Sequence, residues 1–208
     1  MSHWPTLKRG LVAILRGVKP DEIAAIGDAL VEAGFEAIEI PLNSPDPFRS
    51  IEILARRVPA GVLAGAGTVL SAADAIRLHD VGGKLMVTPN VDPEVIRKAT
   101  ELGMVSMPGV FTATEALLAI KSGASALKFF PASALGPSGV NAIRAILPKD
   151  AVIGAVGGVA DADFAAWMAI GVKTFGLGSS LYKPGATASE VLDKAQRSVQ
   201  AYDAANIV

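Results

Sequence analysis

Cysteine is absent from the 208 residues, which excludes disulfides, thiolate metal sites and a cysteine nucleophile together. Histidine is scarce as well. Only His3 and His79 occur, so a histidine-rich zinc or iron centre is not expected. Aromatic residues make up 5% of a chain that is 51% hydrophobic, which leaves Ala, Val, Ile, Leu and Gly to build the interior. Charge of one sign is also missing: 19 Lys and Arg are interspersed with 20 Asp and Glu. Such a balance gives neither a polybasic nucleic-acid surface nor an acidic tail, although one or two bases and local dipoles suffice for a phosphorylated small molecule. No apolar run reaches the ~18–20 residues of a membrane helix. The start, Met1 to Arg9, lacks the apolar core of a signal peptide. The expectation is a soluble, cytoplasmic protein with no nucleic-acid or membrane partner, no metal and no cofactor.

What is present is a regular alternation. Short strand-like runs stand at 11–15, 37–41, 62–66, 85–88, 105–108, 126–130, 152–156 and 174–177. Amphipathic segments separate them, as at Pro20–Ala33, where Ile23, Ile26, Leu30 and Ala33 share a face. Helix-start signals recur at Lys19-Pro20-Asp21-Glu22, Ser44-Pro45-Asp46, Ser71, Asp92-Pro93-Glu94 and Thr112 to Glu115. Stop signals follow at Gly34, Gly103, Gly123 and Gly171. A last helix without evident chemistry includes Ser189–Ala201. Eight βα units of about 26 residues each predict a single-domain (β/α)8 TIM barrel over residues 1–208. An open doubly wound sheet is the alternative, and the lack of an irregular edge unit favours closure.

Strand parity points to chemistry. Ala37, Glu39 and Pro41 share one face against Ile38 and Ile40; Ala126, Lys128 and Phe130 oppose Leu127 and Phe129. In the third strand, Ala64, Ala66 and Thr68 oppose Leu63 and Gly65. With bulky residues turned to the helices, Glu39, Thr68 and Lys128 point inward near the C-terminal strand ends, where catalytic groups of this fold collect. A lysine is rarely buried without a partner. Lowering its pKa from ~10.4 to about 7 costs about 4–5 kcal/mol, and the neutral amine so formed can attack a ketone. Two other readings stay open: a lysine stem that snorkels to water, and a structural Glu39–Lys128 ion pair. Arg16 ends the first strand and can grip a carboxylate or phosphate with two parallel bonds, or close a barrel-mouth ion pair. Thr68 either donates its hydroxyl to a ligand carboxylate or caps the next helix. Gly157-Gly158 and Gly178-Ser179 follow strands seven and eight, where backbone N–H groups commonly hold phosphate, although turn glycines would look the same. Pro89 and Phe130 are expected to line the pocket. Gly65-Ala66-Gly67-Thr68 is not a dinucleotide fingerprint, because the third glycine is missing.

Six stretches, taken in order, carry a resemblance: Ala13-Ile14-Leu15-Arg16-Gly17, Ile38 to Pro45, Gly65 to Val69, Leu127 to Pro131, Ala155 to Val159, and Gly176 to Ser179. Together the chain resembles the 2-keto-3-deoxy-6-phospho sugar acid aldolases, the KDPG/KDPGal aldolase family of class I lyases, from about residue 10 to residue 183. The resemblance implies a homotrimeric barrel that cleaves a phosphorylated 2-keto-3-deoxy sugar acid into pyruvate and glyceraldehyde 3-phosphate. It also implies Lys128 as the Schiff-base residue and Glu39 as the acid/base. The chemistry is coherent: the carbanion left at C3 needs an electron sink, and a protonated imine supplies one. Glu39 would take the C4 hydroxyl proton and later protonate the enamine carbon. Two departures narrow the substrate. Gluconate-type members carry Thr-Leu-Arg-Thr and Pro-Thr-Gly-Gly where this chain has Pro41-Leu42-Asn43-Ser44 and Ala155-Val156-Gly157-Gly158. The chain therefore resembles the galactonate-type branch. Val156 removes a hydroxyl that could bond the substrate C4 hydroxyl, so use of both epimers stays open. A phosphosugar isomerase or epimerase on the same barrel is the rival reading.

Overall fold

A computed structural model describes residues 3–206. The strands are β1 (Gly10–Ile14), β2 (Ala37–Pro41), β3 (Leu63–Gly67), β4 (Leu85–Val87), β5 (Val105–Met107), β6 (Gly109–Val110), β7 (Leu127–Phe129), β8 (Ile153–Val156) and β9 (Thr174–Leu177). The helices are α1 (Ile23–Ala33), α2 (Pro47–Arg57), α3 (Ala72–Asp80), α4 (Pro93–Glu101), α5 (Ala113–Lys121), α6 (Ala132–Arg144), α7 (Phe164–Met168) and α8 (Ala188–Ala205). The strands pair in parallel in the order β5-β4-β3-β2-β1-β9-β8-β7-β6. Because β5 and β6 are consecutive in the chain, the two ends of the sheet meet and the barrel is nearly closed.

The expected fifth strand, 105–108, ends at Met107, and a further two-residue strand, β6, follows beyond it. Pro108 separates β5, which pairs with β4, from β6, which pairs with β7. A proline has no N–H to donate, so the ladder cannot run through it. Its carbonyl still accepts from Lys128 N at 2.9 Å, which ties the seam to the lysine strand.

Two apolar layers follow from the alternation along each strand. Ile38, Ile40, Leu127 and Phe129 pack outward against the helices, while Val12, Ile14, Ala37, Ala126 and Val156 fill the barrel axis. β3 reverses the parity expected from its sequence. Leu63 lies inside, and Ala64 and Ala66 lie in the outer layer. Small residues there face the helices, and the two inward glycines, Gly65 and Gly67, leave the axis open beside Glu39.

Local signals set several helix ends. Ser71 accepts from Asp74 N and Asp92 from Glu94 N, while Thr112–Glu115 and Thr187–Glu190 form capping boxes. The four stop glycines all have positive φ. At the other end of the series, α7 is only five residues long and is preceded by a 3-10 turn at Asp161–Asp163. An aromatic cluster holds it: Phe164 stacks on Phe175 at 4.4 Å, and both rings meet Tyr202 edge-on at 6.1 Å. That cluster joins α7, β9 and α8. We predict that Phe164→Ala lowers stability by about 3–5 kcal/mol, read from urea or guanidinium unfolding. A loss under about 1 kcal/mol would mean that the cluster can collapse onto the cavity.

Candidate active site

Lys128 stands in the middle of β7 and Glu39 in the middle of β2; they are 7% and 2% exposed. Both line one cavity of about 640 Å³, together with Ile14, Arg16, Phe130, Val156, Gly157, Gly158, Gly176, Gly178 and Ser179. The cavity opens where the strands end, so the inward parity of β2 and β7 carries the charges to the mouth.

The space around Glu39 is built by its neighbour strand. A Cβ at Gly67 would lie 2.0 Å from Glu39 Oε2, so no other residue fits there unless the carboxyl moves. That oxygen is buried and has no hydrogen-bond partner among the described residues. Among the described residues, no ion pair joins Glu39 to Lys128. The structural ion pair considered from sequence is therefore not formed. Lys128 Nζ instead lies 4.6 Å from the centre of the Phe130 ring.

Burial dominates the acid–base behaviour of both groups. Desolvation pushes the Glu39 carboxyl up to about 7, against the pull of Lys128 and Arg16. The same burial lowers the Lys128 ammonium; Glu39 opposes that shift and Arg16 adds to it. Each group is thereby brought toward its neutral form. A neutral amine is a nucleophile, and a carboxyl near 7 can accept or deliver a proton at neutral pH.

Around the mouth, Arg16 is exposed and its Nη1 donates to Asn43 Oδ1 at 2.5 Å. Gly157 and Gly158 have φ of 89° and 73°, in the left-handed region that favours glycine. A Cβ at Gly157 would press on the Phe130 ring at 3.0 Å, and one at Gly158 on Ser133 Oγ at 2.5 Å. Beyond β9, the N–H groups of Leu181 and Tyr182 both return to the Gly178 carbonyl at 2.9 Å. Those of Gly158, Ser179 and Ser180 have no protein partner among the described residues. Three free donors on two adjacent loops can hold an oxyanion.

Two expected residues lie elsewhere. Thr68 lines a neighbouring cavity with Leu42, Asn43, Phe48 and Arg77, not the one that holds Lys128. It follows β3 in a left-handed turn with φ of 56°, where the alternation of that strand no longer sets the side-chain direction. Nor does it cap α3, whose cap is Ser71. Pro89 packs against β6, where a Cβ at Gly109 would lie 2.3 Å from its carbonyl oxygen. Conversely, Ile14, Gly176, Ser180, Tyr182, Lys183 and Pro184 line the cavity without having been singled out. Ile14 was within reach, since it shares a strand face with Arg16. Tyr182 carried no such signal: its hydroxyl meets Glu22 Oε2 at 3.4 Å, an approach made by distant loops. Burial, then Glu22, pushes that phenol up to about 12.

A (β/α)8 barrel with an amine and a carboxyl buried at a shared mouth has the layout of a barrel aldolase. Residues 6–198 match the family model for KDPG and KHG aldolase, and the chain belongs to that family. A probable 2-dehydro-3-deoxy-6-phosphogalactonate aldolase of Rhizobium meliloti (strain 1021) is 62% identical over 200 residues, covering 96% of this chain and 94% of the relative. The 2-dehydro-3-deoxy-6-phosphogalactonate aldolase of Escherichia coli (strain K12) is 46% identical over 96% of this chain and 97% of the relative. The KHG/KDPG aldolase of that organism is 29% identical over 70% of each chain. A solved structure described as native KDPGal matches with a TM-score of 0.96 at 45% identity, covering 99% of this chain and all of the other.

The raised Glu39 carboxyl has a consequence for stability. A group whose folded pKa exceeds its unfolded value of 4.5 favours the folded state below that value, and the contribution is lost as pH climbs through about 7. Glu39→Gln abolishes the titration. We predict that it gains stability over the parent between about pH 5 and 8, approaching about 3 kcal/mol at the alkaline end. Denaturant unfolding across that range measures the difference. A difference independent of pH would show that Glu39 ionises as an exposed glutamate does.

Proposed function

We propose that this aldolase reversibly cleaves 2-dehydro-3-deoxy-6-phospho-D-galactonate to pyruvate and D-glyceraldehyde 3-phosphate, as a soluble cytoplasmic homotrimer in galactonate catabolism. The observation that carries the chemistry is the cavity itself, which Lys128 and Glu39 both enter, each pushed toward its neutral form by burial. The galactonate assignment rests on the 62% and 46% identical relatives of that name, set against 29% for the KHG/KDPG enzyme.

In this reading the neutral Lys128 amine adds to the C2 ketone, and the Glu39 carboxyl gives up its proton as water is expelled, leaving a protonated imine and the Glu39 carboxylate. The Glu39 carboxylate takes the proton from the C4 hydroxyl as the C3–C4 bond breaks. The bonding electrons flow into the imine, and the aldehyde leaves. Glutamic acid then returns a proton to C3 of the enamine, directly or through water, and hydrolysis frees pyruvate and the amine. The phosphate lies on the Gly157-Gly158 and Gly178-Ser179 loops, with the free N–H groups of Gly158, Ser179 and Ser180 as donors. Arg16 serves an anionic end of the substrate. Val156, inward and 5% exposed, meets the substrate with two methyl groups and no hydroxyl.

Two measurements test this reading. Borohydride reduction in the presence of pyruvate should leave a pyruvyl adduct on the Lys128 peptide, absent in Lys128→Ala. An unmodified lysine would sink the imine. A coupled pyruvate-release assay with both C4 epimers should favour the galacto epimer. Equal rates would mean a relaxed enzyme, and preference for the gluco epimer would overturn the substrate while leaving Lys128 and Glu39 in place.

A further inference from the structure

The loop after β1 is held from both sides. Arg16 Nη1 donates to Asn43 Oδ1 at 2.5 Å, and the next residue, Gly17, donates its N–H to Ser44 Oγ at 2.9 Å. Two consecutive residues of the β1–α1 loop are thus matched to two consecutive residues of the β2–α2 loop. On a further side, Pro184 closes on Gly17, where a Cβ would lie 2.7 Å from Pro184 Cγ. Ser44 is buried, 7% exposed, so the second of these bonds sits on a fixed support. Asn43 is exposed and does not line the cavity that holds Lys128. Its oxygen is nevertheless the acceptor that the Arg16 guanidinium meets.

An exposed arginine left to itself samples many rotamers, and ordering it when a ligand binds costs about 0.5–1.5 kcal/mol. A guanidinium already tethered at one nitrogen has lost part of that freedom, while its remaining N–H groups stay available for an anion. The neutral amide accepts a bond without cancelling the positive charge. An aspartate in its place would hold the arginine equally well but neutralise it.

We propose that Asn43 is a positioning residue: it fixes the Arg16 guanidinium at the cavity mouth before the anionic substrate arrives, with Ser44 holding the loop beneath. This rests on the aldolase reading for its substrate, but not for its test. The probes are pyruvate and inorganic phosphate, titrated calorimetrically into the full chain, because either anion can be the one Arg16 grips and binding does not depend on turnover. Asn43→Ala should weaken one of the two by about three- to tenfold, the worth of one hydrogen bond, with an unchanged melting temperature. The effect should vanish in an Arg16→Ala background, since a residue that acts only through another has nothing left to act upon. In steady-state assays on whichever epimer the parent cleaves, KM should rise by the same factor while kcat holds. Asn43→Asp separates orientation from charge: it should keep the arginine in place yet weaken the same anion. Unchanged affinity for both anions in Asn43→Ala would overturn the proposal. So would losses in the single and double variants that simply multiply, which would make Asn43 an independent contact. Failure of the aldolase reading appears elsewhere, as a parent enzyme that binds the anions but releases no pyruvate from either epimer.

Discussion

Desolvation of two opposite charges in one barrel mouth is the constraint on which the rest of the structure depends. An amine and a carboxyl in water would stay ionised at neutral pH and would be ready neither to attack nor to return a proton. Placed on β2 and β7 with 2% and 7% exposure, each is driven toward its neutral form. Direct pairing would undo this, because a close salt bridge restores both charges. The groups contact a shared space without bonding to each other, and Glu39 Oε2 is left without a partner. An unsatisfied buried oxygen costs about 1–3 kcal/mol in an ordinary core. In the proposed reaction it is an acceptor held ready for a substrate proton, and the nearly closed sheet around it supplies the stability that the site lacks.

The barrel meets that requirement by emptying its axis at the right height. Large side chains on the inward face would fill the mouth, so the inward positions of β3 and β9 near the site are glycines. Gly67 yields its side-chain volume to the Glu39 carboxyl, and a Cβ at Gly176 would lie 2.7 Å from Val156. Stability is moved outward, to the layer between strands and helices, where Ile38, Ile40, Leu127 and Phe129 are fully or almost fully buried. The inner and outer layers therefore divide the work of the same strands, by alternation of side chains alone.

That alternation explains what could be read from the amino-acid order. Ile38 and Ile40 against Glu39, and Leu127 and Phe129 against Lys128, oppose bulky to charged side chains, and the parity of β2 and β7 followed. In β3 every residue but Leu63 is Ala or Gly. Neither face is bulky, and the contrast that fixes parity is lost. The true assignment depended on a tertiary fact: the glutamate of β2 leans over Gly67. The end of the fifth strand before Pro108 was visible in principle, since proline cannot continue a ladder, but the two-residue β6 beyond it is too short to show as a run. Tyr182, Lys183 and Pro184 were beyond reach, because their place at the mouth depends on how the long β9–α8 connection folds back on α1 and Gly17.

The division between strands and loops also accounts for how substrate preference can vary within one family without disturbing its chemistry. Lys128 and Glu39 sit inside strands, where one step of register would turn them out of the barrel. The residues that differ from the gluconate-type pattern are of another kind. Pro41 closes β2, Asn43 and Ser44 lie in the loop after it, and Val156 closes β8 at the rim. Changing any of them alters a hydroxyl, a tether or a local charge at the mouth, while the strand register and the burial that tunes the reacting pair stay as they are. Asn43 shows the consequence most directly. It leaves the reacting atoms untouched, yet its oxygen sets the direction of the guanidinium that an arriving anion meets first. In the proposed reaction, selectivity is thus a property of the last residue of a strand and the first few of the loop beyond it, and catalysis a property of the residue or two before.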